Sequence, residues 1–127
     1  MTQEYKELLL KDLCARLPYN VRVEYNGTTL TNIFDVLGIA HGRIILCLPF
    51  MSKTECPLIE EVKLYLFPLS SMTDTQKRDY QYITERWMYD SSYSIADSID
   101  WLNKNHFDYQ GLIEKGLAID ATGLNIY

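Results

Sequence analysis

No stretch of the 127-residue chain approaches the ~20 consecutive apolar residues of a membrane span. The longest apolar run, IILCLPFM at 44–51, is only strand-length. The opening segment MTQEYKELLLKDLCARLP sets Lys6, Lys11, Asp12 and Arg16 among its leucines, which excludes the uninterrupted apolar stretch of a signal peptide. Glycine (6) and proline (4) are scarce, and hydrophobic residues make up 47%, so collagen-like, low-complexity and disordered classes fall away. The three cysteines, Cys14, Cys47 and Cys56, form no C-x-x-C pair, a pattern of reduced thiols in a reducing compartment. Cys14 and Cys47 lie in apolar stretches and are expected in the core. Lysine and arginine (12) are outnumbered by acids (17), for a net charge of −5, and nowhere gather into a block. That excludes a general binder of nucleic acid polymers, whose affinity rests on neutralising phosphates. G-x-S-x-G, G-x-G-x-x-G and Walker A motifs are absent, and no cofactor is implied.

What is present fits one domain spanning residues 1–127, long enough to bury roughly two-thirds of its unfolded surface. Leu9, Leu10, Leu13 and Leu17, with Cys14, line one face of a helix over 3–17, while Lys6, Lys11 and Arg16 point elsewhere. VRVEY at 21–25 alternates, Asn26-Gly27 supplies a two-residue hairpin turn, and TTLTNIF returns. RIILCL at 43–48 reads as a central strand preceded by the turn GIAHGR, and VKLYLF at 62–67 as a further strand. Thr73 with Gln76 and Ser94 with Asp97 have capping-box spacing, predicting helices over 74–89 and from 94 onward, the latter carrying Ile95, Ile99 and Leu102 on its apolar face. Asp108 caps and Gly116 ends a third, short helix. The expected class is α+β: an N-terminal helix, a four-stranded mainly antiparallel sheet, then three C-terminal helices.

Residues that could carry chemistry are few. His41 and His106 have no partner at metal-ligand spacing, so no metal site is expected. His106 falls at a helix end, where an imidazole can bond the last carbonyls. His41, Gly42 and Arg43 form a candidate ligand site: exposed amides beside a guanidinium can hold a carboxylate or phosphate. The plainer reading of the same residues is a polar turn before a buried strand. Ten tyrosines call for an account, and Tyr80, Tyr82, Tyr89, Tyr93 and Tyr109 crowd into one part of the chain. Tyrosine offers large contact area at low entropic cost, which makes these five candidate interface residues.

Three blocks, LLLKDLCARLPYNVRV at 8–23, LFPLSSMTDTQKRDY at 66–80 and FDYQGLIEKGLAID at 107–120, resemble a family of small proteins of gut Bacteroidales bacteria and their phages and prophages. The resemblance carries no activity and no site residues. It implies a setting: the cytoplasm of a bacterial host, through phage or mobile-element genes. Two readings follow. In the first, a non-catalytic protein binds a host protein or a copy of itself, as in counter-defence. In the second, an oligomer sequesters a small anionic signalling nucleotide with His41, Arg43 and stacking tyrosines. A small enzyme comes third.

Overall fold

The computed structural model describes residues 1–26, 33–48, 54–86, 88–90 and 94–127. Helix α1 (Gln3–Arg16) starts at Thr2, whose hydroxyl accepts from the Tyr5 N–H at 3.2 Å, and gives way at Leu17-Pro18 to a single 3-10 turn. It buries Leu9, Asp12, Leu13 and Arg16, at i, i+3, i+4 and i+7. The face is thus rotated from the expected one: Leu10 and Cys14 are exposed, and Arg16 is wholly buried. The rotation is tolerated because Asp12 and the Phe107 carbonyl take up the guanidinium.

Strands β1 (Arg22–Glu24), β2 (Ile33–Ala40), β3 (Arg43–Cys47) and β4 (Thr54–Glu55) run antiparallel to their neighbours, and β1 pairs antiparallel with β5 (Lys63–Pro68). Glu24 stands opposite Ile33, and the expected Asn26-Gly27 turn falls in the connection over residues 25–32. Most of that connection lies outside the described residues. A two-residue turn is present between Ala40 and Arg43, where His41 (φ 52°) and Gly42 (φ 75°) both adopt the positive φ of a type I′ hairpin. Gly38, Ile39 and Ala40, expected in the turn, belong to β2.

Helices α2 (Asp74–Arg86) and α3 (Ile95–Lys104) follow β5. Their starts match the spacing that predicts them. The Thr73 N–H donates to Gln76 Oε1 at 2.9 Å and the Gln76 N–H to Thr73 Oγ1 at 3.1 Å; the Ser94 N–H donates to Asp97 Oδ2 at 2.6 Å. Beyond α3 the expectation fails. Phe107–Asp108 is a strand, β6, parallel to the end of β5, and Ala118–Asp120 is another, β7, also parallel to β5. Between them Asp108 does cap, both carboxylate oxygens accepting from the Leu112 and Ile113 N–H groups at 2.9 Å. Gly111 (φ 72°) and Gly116 (φ 73°) then bracket one turn, closed by Leu117 N–H to Leu112 O and Gly116 N–H to Ile113 O, so no third C-terminal helix forms.

The four-stranded sheet followed by three helices is therefore corrected. Among the described residues there are three α-helices and seven strands in one mixed sheet of order β4-β3-β2-β1-β5-β6, with β7 beside β5, and two strands come after the last helix. One face of this sheet, including Val23, Phe34, Val36, Leu46, Leu64 and Ala118, packs with Leu9 and Leu13 of α1 into the main core. The other face carries a smaller cluster in which Tyr65 meets Ala121 and Ile126 of the last segment. Among the described residues no helix is long and apolar enough to cross a membrane.

Candidate functional site

His41, Gly42 and Arg43 sit exposed at the β2–β3 hairpin tip. Arg43 Nη1 donates to the Cys56 carbonyl at 2.9 Å, which ties the guanidinium to the segment after β4. The same arginine shares its surroundings with acids. The Tyr25 hydroxyl is pushed above its ordinary pKa by burial first and by Glu55 and Glu61 next, with Arg43 opposing. An anion approaching Arg43 thus meets neighbouring carboxylates as well as a cation whose planar fork is partly engaged.

The four described members of the tyrosine group, Tyr80, Tyr82, Tyr89 and Tyr109, have separate surroundings. Tyr80, half-buried, packs on Trp101 at 5.6 Å between ring centroids, and Trp101 in turn stacks on Phe107 at 5.7 Å. Tyr109 lies under the buried Arg16 guanidinium, 5.3 Å from its carbon. Tyr82 is exposed, with the Arg86 guanidinium 5.0 Å over its ring, and Tyr89 is 81% exposed. Tyr93 lies outside the described residues.

Other apolar residues of the same part of the chain are exposed as well. Met88 is 64% exposed and Ile95 66%, while Ile99, one turn further along α3, is also exposed. The side of α3 turned inward holds Ser98, Leu102 and Asn103 instead, with Ser98 Oγ 3.4 Å from Thr84 Oγ1 of α2. Of the predicted apolar face only Leu102 is covered. Ile99 also borders an open cleft of about 430 Å³ between α3 and α1, lined further by Lys11, Ala15, Tyr109 and Gln110. Tyr82, Met88, Tyr89, Ile95 and Ile99 thus all lie exposed on α2, α3 and the segment between them, and Ile99 also lines the groove. Apolar side chains scattered singly need no account; several on one helix pair make this region the candidate contact surface.

Two polar arrangements lie beneath. Asp12 and Arg16 form a fully buried pair, Nε to Oδ2 at 2.7 Å and Nη2 to Oδ1 at 3.1 Å, and Nη2 also reaches the Phe107 carbonyl at 2.6 Å. This joins α1 to β6. His106, in the left-handed region at φ 61°, does not cap α3 through its ring; its backbone N–H bonds the Asn103 carbonyl at 3.1 Å. The imidazole lies flat against Tyr127, centroids 3.6 Å apart and planes 9° apart, with Nδ1 buried and unpartnered. Burial, then Arg16 and Arg22, lower its pKa from 6.5 to about 4, which keeps the ring neutral. Burial raises the Tyr127 hydroxyl strongly, so it remains a phenol and can donate.

Among the described residues no group of three or more His, Cys, Asp or Glu could hold a metal ion. Comparison with family models, with curated proteins and with solved structures found no match.

Proposed function

We propose that the protein is a non-catalytic binding protein that works by protein–protein contact in a bacterial cytoplasm, the setting its family resemblance implies. The contact surface is the outer side of α2 and α3, with the α3–α1 groove as its edge. The observation that carries this reading is the exposed row of α3: a ten-residue helix turns Ile95 and Ile99 outward and buries a serine and an asparagine. A helix that served only its own core would bury the isoleucines, since each side chain so covered is worth about 2 kcal/mol. Tyr82, Met88 and Tyr89 supply the aromatic and flexible anchors typical of interface centres.

The test compares the full chain with a Tyr89→Ser/Ile95→Asp variant, each immobilised and offered cytosolic extract of a Bacteroidales host. The retained protein is then purified and its affinity measured against both. The reading expects at least tenfold weaker binding by the variant; equal binding overturns it. A thermal shift with cyclic and ADP-ribose-type nucleotides separates the alternative. A sequestering protein rises by several degrees with excess tight ligand, and Arg43→Ala abolishes the rise.

A further inference from the structure

The cleft of about 430 Å³ between α1 and α3 has the size of a small-molecule site. Ala15, Ile99 and the Tyr109 ring give it apolar and aromatic walls. Among the described residues Lys11 is its one charged lining residue, and this exposed lysine makes no ion pair.

A second donor stands beside the aromatic wall. Arg16 has no solvent exposure; Asp12 and the Phe107 carbonyl engage its Nε and Nη2, but Nη1 bonds no protein group. A buried guanidinium nitrogen is rarely left in that condition, and its N–H groups call for an acceptor. The guanidinium lies over the Tyr109 ring, 5.3 Å from carbon to centroid, and that ring lines the cleft. Tyr109 also borders a second cleft, of about 350 Å³, beside Leu69, Gly111 and Ile113, so its ring has room to turn without displacing the core. Asp12 already balances the charge of Arg16, which leaves the single charge of Lys11 for a ligand. One positive charge on a chain of net charge −5 suits a monoanion and disfavours polyanions.

We propose that the α1–α3 cleft binds a small monocarboxylate with an aromatic or branched apolar body. The carboxylate bridges Lys11 Nζ and Arg16 Nη1 once the Tyr109 ring turns toward the second cleft, and the apolar body covers Ala15 and Ile99. Protein contact at the outer side of α2 and α3 is not required, although Ile99 borders both surfaces.

The experiment titrates the full chain with phenylacetate and isovalerate, each against its neutral amide. Binding is followed by NMR through the methyl signals of Ala15 and Ile99 and the guanidinium signals of Arg16. At least one of the two acids should shift all three saturably and bind at least fivefold more tightly than its amide, as a charge-assisted bond requires. Lys11→Gln, at an exposed position, should erase that preference, and Lys11→Arg should keep it. The Tyr89→Ser/Ile95→Asp variant should bind the acid as the wild type does, so this site and the contact surface can fail separately. No saturable shift with either acid, equal affinity for acid and amide, a preference that survives Lys11→Gln, or Arg16 signals that stay in place would each overturn the proposal.

Discussion

Helices α1 and α3 both bury polar side chains and leave apolar ones outside. The first hides a charged pair, Asp12 and Arg16, and leaves Leu10 and Cys14 outside; the second hides Ser98 and Asn103 and leaves Ile95 and Ile99 outside. What separates them is the company each inner face keeps. The inner face of α1 meets the apolar side of the sheet, where Leu9 and Leu13 pack, and at its C-terminal end it meets the Phe107 carbonyl, a polar group that needs a buried donor. The inner face of α3 meets α1, β6 and the hydroxyl of Thr84, and there Leu102 and the half-buried Trp101 are the apolar side chains beside Ser98 and Asn103. Stability therefore rests mainly on α1 and the sheet, while α3 leaves Ile95 and Ile99 exposed.

The largest effect should come from breaking the α1 pair on one side. Asp12→Ala strands a guanidinium with no solvent exposure, and the expected loss is about 3–5 kcal/mol in urea unfolding. Replacing both partners, Asp12→Leu with Arg16→Met, should recover most of that loss, because two apolar groups of similar volume need no partner.

Next comes a pH dependence centred where α3 ends. His106 takes a proton near pH 6.5 in the unfolded chain and only near 4 in the folded one. The sign is that of a depressed base: stability is full above about 6.5, falls as the pH drops through the window to about 4, and levels below it. The whole change should be about 2 kcal/mol, reduced by the solvent that reaches part of the ring. Arg16 and Arg22 are the charged groups that bear on this ring. His106→Asn, which tolerates the left-handed backbone, should flatten the difference in unfolding free energy between pH 7 and pH 4 relative to the wild type. An unchanged slope would assign the pH dependence to other groups.

A smaller loss, below about 1 kcal/mol, is expected for Ser98→Ala, which removes one bond to Thr84 from a short interhelical contact. Thermal unfolding of the two chains side by side checks it.

Local signals were legible in the sequence and global ones were not. The capping residues Thr73, Gln76, Ser94 and Asp97 mark both helix starts because a cap is a bond between residues three apart. Asp108 and Gly116 were legible for the same reason, but the turn between them was too short to be a helix. Strands β6 and β7, of two and three residues, have no period to read, and their parallel pairing with β5 joins positions far apart in the chain. The connection expected at Asn26-Gly27 lies for the most part outside the described residues, while a type I′ turn stands at His41-Gly42. At the candidate surface, the spacing of Ile95, Ile99 and Leu102 announced a helix and an apolar row; it could not say which side the rest of the fold would cover. Tyr127 meets residues 22, 65 and 106, contacts that no local pattern encodes.

If the exposed isoleucines of α3 serve contact rather than folding, Ile95→Asp should separate the two properties, with urea unfolding and affinity for the partner retained from host extract measured on the same protein. The expected outcome is a stability within about 0.5 kcal/mol of the wild type, as for a surface substitution, together with binding weakened at least tenfold. A loss of stability above about 2 kcal/mol, or binding left intact, would contradict that division of roles.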